Sequence, residues 1–313
     1  MTKTAWLFAG QGAQFVGMGK DLAGRFPECR DLYDRADDTL GYPLSTLCFE
    51  GPPEQLTMSN HCQPAIFTTS MACLAAWRAT ASPVDPVGAG GLSLGEWTAL
   101  HVAGALSFED TLRVLEARGR FMQEACEETD GAMASVIGLN LETLQAICRE
   151  TGAVVANLNS PEQTVVSGAR PSVEAAERLA KEKGAKRTLV LNVAGGFHSP
   201  LMRSAAKRLE DFLEGVALSP LRIPVMANAT GRAHGDPDDV RRNMVAQVTQ
   251  SVQWVSCMER LRELGPDAWI EFGPGRVLSG LLKRVDSDAN VCHIQDLSSL
   301  EKAQNACETQ KEA

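Results

Sequence analysis

Gly91-Leu92-Ser93-Leu94-Gly95-Glu96 sets a serine between two glycines at the G-x-S-x-G spacing. Glycines on both sides let a strand turn sharply into a helix without Cβ clashes, which presents the hydroxyl above a sheet edge as a nucleophile. The same pattern arises by chance in Gly-rich loops around an ordinary serine, so a base is needed to give it weight. Five histidines are available. His61 and His101 lie in apolar or helical contexts, His234 in a turn candidate, and His293 on the strand candidate Val291–Ile294. His198 differs, because Gly195-Gly196-Phe197-His198-Ser199-Pro200 is a flexible entry into a helix starting near Pro200, a junction of the kind where cleft residues sit.

Two glycine-rich readings fail. Gly10-Gln11-Gly12-Ala13-Gln14-Phe15 has Phe15 where a dinucleotide fingerprint needs its third glycine, and Met18 stands where a P-loop needs lysine. The loop serves better as a source of backbone and amide donors near an oxyanion, with Gln11 just after a first strand.

These residues need elements to hold them. Residues 84–91 read as a short buried strand and 96–103 as a helix ending at Gly104, which supplies the strand–turn–helix context. Residues 67–80 read as a helix through Phe67, Met71, Leu74 and Trp77, and 110–124 as another with Ser107 as N-cap. The pattern then changes. Strand candidates at 132–139, 154–157, 163–168 and 186–191 alternate with helix candidates at 141–150 and 172–183, the β-α-β-β-α-β order of a ferredoxin-like unit. The expected organisation is therefore a discontinuous α/β domain, 1–128 and 197–313, with a small α+β subdomain at 129–196 inserted in it. Beyond Leu300 the polar tail is expected to fray.

At 313 residues and 44% hydrophobic content the chain can bury a large core. No apolar run approaches the roughly 20 residues of a membrane span, and the first nine residues read as a buried strand, not a signal segment. Nine cysteines without a C-x-x-C pair fit reduced thiols in a cytoplasmic protein, and His61-Cys62 has no second cluster to make a metal site. A net charge of −9 without a basic, aromatic-interleaved run argues against nucleic acid.

The motifs together carry a resemblance. Gly10-Gln11-Gly12-Ala13-Gln14, Gln63-Pro64-Ala65, Gly91-Leu92-Ser93-Leu94-Gly95-Glu96, Arg118-Gly119, Gly131-Ala132-Met133-Ala134 and Gln163-Thr164-Val165-Val166-Ser167-Gly168 occur in order. Phe197-His198-Ser199-Pro200-Leu201-Met202 and Glu271-Phe272-Gly273-Pro274-Gly275 follow them. Over residues 4–297 the chain resembles the free-standing malonyl-CoA:acyl carrier protein transacylases of fatty acid synthesis. The resemblance implies an α/β-hydrolase-like domain with a parallel sheet and an inserted ferredoxin-like subdomain. It also implies that malonyl passes from CoA to Ser93 and then to the pantetheine thiol of an acidic, transiently bound acyl carrier protein. No cofactor or metal is implied, malonyl-CoA being a substrate, and nothing demands more than a monomer.

By that resemblance Ser93 is the nucleophile and His198 its base, oriented by a main-chain carbonyl near Gln247, with Gln250 as competitor. Arg118 would hold the malonyl carboxylate through two parallel charge-assisted bonds, where the residue type alone suggests a helix-surface arginine. The N–H groups of Leu94 and Gln11 would receive the oxyanion, and Gln63 would join the substrate site. Phe197 matches a malonyl-selective pattern in which a bulky ring excludes an α-methyl group. Two positions depart from the pattern: Leu92 replaces a common histidine, and Ser251 replaces a usual proline, which should leave its turn less rigid. Arg203, Lys207 and Arg208 are the first choice for a carrier-docking patch.

Three other readings remain open. A serine thioesterase or esterase would need an acidic triad member between Ser93 and His198, and no carboxylate there has a strand-end loop context. A non-catalytic carrier-binding module is disfavoured by the intact Ser93, His198, Arg118 and Gln11. A discrete polyketide-synthase loading acyltransferase shares the motifs and differs only in its partner.

Overall fold

A computed structural model describes residues 3–81 and 85–309. The chain divides into two compact units, Met1–Gly119 with Leu218–Met226 and Leu261–Ala313, and Arg120–Ala217 with Ala227–Arg260.

The first unit is built on a four-stranded parallel sheet in the spatial order Val291–Ile294, Ala268–Phe272, Thr4–Phe8, Gly88–Gly91. Ala5 to Phe8 and Ala268 to Phe272 are continuous buried runs, as expected of parallel strands covered on both faces. The strand Gly88–Gly91 has almost no β-propensity of its own and exists through tertiary fit. Ala89 N–H donates to Pro224 O at 2.9 Å, and the side chains of Leu261 and Leu264 occupy the space a Cβ on Gly88 would fill. Of the strand expected at 84–91, Asp85, Pro86 and Val87 are outside it, and Val84 lies outside the described residues.

Helix Ser59–Thr80 begins eight residues before the apolar periodicity suggested. It is buried on nearly every side, so its early turns carry no amphipathic stripe to read. Helix Phe108–Glu127 starts where Ser107 Oγ accepts the Asp110 N–H at 3.0 Å. The tail does not fray at Leu300: helix Leu297–Thr309 is capped by Asp296, whose Oδ1 accepts the Ser299 N–H at 2.7 Å, and buries Leu300 and Ala303.

The second unit holds an antiparallel sheet in the order Val154–Ser160, Gln163–Ala169, Gly131–Ile137, Arg187–Val190. Helices Leu141–Thr151 and Arg170–Glu182 pack Leu144, Ile147, Val173 and Ala176 onto Ala134, Val136 and Val166. The β-α-β-β-α-β order matches the sequence expectation, but the unit is wider than 129–196. Val252 makes a parallel bridge to Asn157, donating its N–H to Ala156 O at 2.8 Å and accepting that of Leu158 at 2.9 Å. Such long-range ties recruit residues beyond 196 that no local pattern assigns to the subdomain.

The eight cysteines from Cys29 to Cys292 are free. Burial pushes the thiols of Cys29, Cys62 and Cys126 up to about 12, which keeps them protonated and unreactive. Among the described residues no helix is long and apolar enough to cross a membrane, and no three His, Cys, Asp or Glu side chains cluster as metal ligands.

Candidate active site

Ser93 sits between strand Gly88–Gly91 and helix Leu94–Val102 with φ 55° and ψ −102°. Among the described non-glycine residues only Ser93 and His198 have positive φ, both 55°. Strained backbone of this kind persists only where its surroundings enforce it. The flanking glycines show how: a Cβ on Gly91 would lie 2.1 Å from Gly95 C, and one on Gly95 would lie 2.1 Å from Phe8 O. The turn, the helix start and the first strand are thus packed backbone against backbone. Leu94 opens the helix, so its N–H has no intrahelical acceptor and is free in geometry to bind an oxyanion.

Arg118 comes to the nucleophile from helix Phe108–Glu127. Gly119, its neighbour, allows the close approach, since a Cβ there would lie 2.2 Å from Ser59 O. Arg118 is 1% exposed, donating from Nη2 to Ser93 Oγ at 3.0 Å and from Nη1 to Gln63 Oε1 at 2.6 Å. Gln63 Nε2 reaches Gln11 Oε1 at 3.5 Å, and Gln11 Nε2 donates to Ser59 Oγ at 3.2 Å. The structure thus joins Ser93, Arg118, Gln63 and Gln11 in one network. Ser59, which the sequence reading did not single out, anchors its far end. Desolvation lowers the Arg118 pKa to about 10, opposed by the Glu96 carboxylate, so the guanidinium stays charged at neutral pH.

His198, Phe197 and Gln247 lie in the second unit. His198 Nδ1 is 2.8 Å from Gln247 O, the carbonyl that ends helix Pro237–Gln247. The last carbonyls of a helix lack intrahelical donors and carry the negative end of its dipole. A carbonyl there can accept the Nδ1–H, leave Nε2 as the basic nitrogen and stabilise the imidazolium formed on proton uptake, which is the work an aspartate does in a Ser-His-Asp triad. Gln250 instead donates its N–H to Ala246 O at 3.0 Å. Ser199 holds the histidine loop in shape by donating from Oγ to Gly196 O at 2.5 Å. Beside His198 opens a cavity of about 350 Å³, lined also by Val154, Val155, Pro200, Gln250 and Gln253. The buried Phe197 precedes the histidine directly.

Comparison with known proteins places the chain in a family. The acyl transferase domain family matches residues 5–311. The malonyl CoA-acyl carrier protein transacylase of Bacillus subtilis is 41% identical, over 97% of this chain and 96% of its own length. The chain belongs to the acyl transferase family. A crystal structure of the malonyl CoA-acyl carrier protein transacylase of Clostridium perfringens matches with TM-score 0.94 at 37% identity, over 99% of this chain and 98% of that one. A malonyl-transacylase in complex with a type II polyketide-synthase acyl carrier protein matches with TM-score 0.92 at 37% identity, over 96% and 99%.

The acyltransferase does not leave Arg203, Lys207 and Arg208 as an open basic patch. On helix Arg203–Glu214, Lys207 Nζ lies 2.8 Å from Asp211 and 3.1 Å from Glu210. Arg208 pairs with Glu124 and lies over the Phe121 ring. Two of the three cations are thus compensated, one of them by a residue 84 positions away in sequence.

Proposed function

We propose that this acyltransferase moves malonyl from malonyl-CoA to the pantetheine thiol of an acyl carrier protein through a malonyl-Ser93 ester. The observation that carries this reading is the buried Arg118 guanidinium, with one arm on the Ser93 hydroxyl and the other on Gln63. A positive charge sealed beside the nucleophile at neutral pH favours an acyl group with a negative charge of its own, and a planar guanidinium matches a carboxylate in two parallel bonds.

His198 Nε2 takes the Ser93 proton as Oγ attacks the thioester carbonyl. The oxyanion is held by the N–H groups of Leu94 and Gln11, each worth roughly 3 kcal/mol of barrier. Collapse breaks the C–S bond, and the histidine proton leaves with the CoA thiolate. The carrier thiol then gives its proton to His198 and attacks the ester, and the Oγ–acyl bond breaks as the histidine passes that proton to Ser93 Oγ. Two thioesters exchange, so neither an oxidant nor a hydrolytic water enters the balance. The free cysteines, seven of them buried, support a reducing, cytoplasmic setting.

Incubation with malonyl-CoA alone, followed by intact mass spectrometry and peptide mapping, is expected to show one malonyl group on Ser93 that releases malonate slowly. Rapid malonate release without an accumulating adduct would identify a thioesterase instead.

Phe197 supplies the expectation on selectivity. Rejecting one α-methyl group is worth about 10- to 200-fold in kcat/KM, so methylmalonyl-CoA should react more slowly than malonyl-CoA by that margin. Phe197→Ser should narrow the gap, whereas equal rates in the unaltered enzyme would remove Phe197 from the pocket.

A further inference from the structure

From the geometry we infer that Ser251 is a positioning residue that holds the Gln247 carbonyl on His198. The inference rests on the reading of His198 as the base for Ser93.

The turn after helix Pro237–Gln247 is held locally by i→i+3 bonds, Val248 N–H to Val245 O at 3.2 Å and Thr249 N–H to Ala246 O at 3.1 Å, and by one i→i+4 bond, Gln250 N–H to Ala246 O at 3.0 Å. Ends of this kind fray unless something beyond them is fixed. Four residues after Gln247, Ser251 Oγ donates to Val155 O at 2.5 Å, on the outer strand of the antiparallel sheet. Val252 then joins the same strand through its two backbone bonds, and Gln253 N–H donates to Asn228 O at 2.8 Å. The carbonyl is therefore suspended between the helix on one side and the sheet edge on the other, with Ser251 as the first attachment past the turn. The rigidity that a proline would give this position through a fixed φ is supplied here by a side-chain bond, so the departure seen in the sequence does not loosen the turn.

Val154, Val155, His198 and Ser251 line one cavity, which places the attachment next to the imidazole whose orientation it controls. A misplaced carbonyl would leave substrate binding intact and cost only the step in which the histidine takes a proton. The expected signature is thus a change in kcat with little change in KM.

The test compares Ser251→Ala, Ser251→Thr and His198→Ala in the full chain, by pre-steady-state CoA release from malonyl-CoA and by the downfield proton resonance of the His198 Nδ1–H. Loss of one neutral hydrogen bond predicts a fall in the Ser251→Ala acylation rate of about three- to tenfold with KM within about twofold. Its Nδ1–H resonance should broaden, and Ser251→Thr, which keeps the hydroxyl, should restore both. An unchanged rate and resonance in Ser251→Ala, or a Ser251→Thr variant as impaired as the alanine, would overturn the inference. Full acylation in His198→Ala would instead remove the reading beneath it.

Discussion

Arg118→Ala is expected to slow malonyl transfer from malonyl-CoA by about 30- to 4,000-fold while raising activity on acetyl-CoA relative to malonyl-CoA. Removing one partner of a desolvated charge pair costs about 2–5 kcal/mol, and that range sets the factor. The loss should fall mainly on acyl groups that carry a carboxylate, because the turn that presents Ser93 is enforced by the backbone packing of Gly91 and Gly95 and not by the guanidinium. Arg118→Lys should recover only part of the loss, since an ammonium keeps the charge but cannot make the two-bond fork. The pKa of about 10 adds a pH expectation. Below that value the guanidinium is protonated and malonyl selectivity holds; above it the charge, and with it the selectivity, declines. The check is kcat/KM for the two acyl-CoAs side by side, and unchanged malonyl preference in Arg118→Ala would remove the residue from the acyl site.

Gly95→Ala is expected to destabilise the protein by about 3 kcal/mol or more and to abolish acylation of Ser93. Its new Cβ would meet Phe8 O at 2.1 Å and Ala9 O at 2.8 Å, and backbone atoms of a central strand have no rotamer with which to move away. The cost therefore lies at or beyond the upper end of ordinary overpacking. The matched control is Gly280→Ala, in the interior of helix Val277–Val285, where a Cβ meets nothing within 4 Å. There the helix propensity of alanine should add about 0.5–1 kcal/mol of stability. Urea unfolding of both variants checks the contrast. A Gly95→Ala enzyme as stable and active as its parent would show that the turn is looser than its packing implies.

Local information made much of this enzyme readable from its residues in order. The glycine spacing around Ser93, the short strand candidates of the small sheet and the amphipathic helices Leu141–Thr151 and Arg170–Glu182 are written over a few neighbouring positions, and each has a short-range physical cause. Sequence was silent where a contact joins distant segments. Nothing near Arg118 shows that its helix meets Ser59 so closely that the guanidinium reaches Ser93, 25 positions away. That the Gln247 carbonyl meets His198, while Gln250 bonds back to Ala246, depends on where one helix stops and on a contact between residues 49 positions apart in the chain. The basic run at Arg203 to Arg208 reads as a docking patch until Glu124, from another helix, compensates Arg208. Motifs name the residue types a reaction needs, because chemistry and turn geometry are properties of short stretches. Which of those residues face one another follows from packing between segments far apart in the chain, and only the folded chain carries that information.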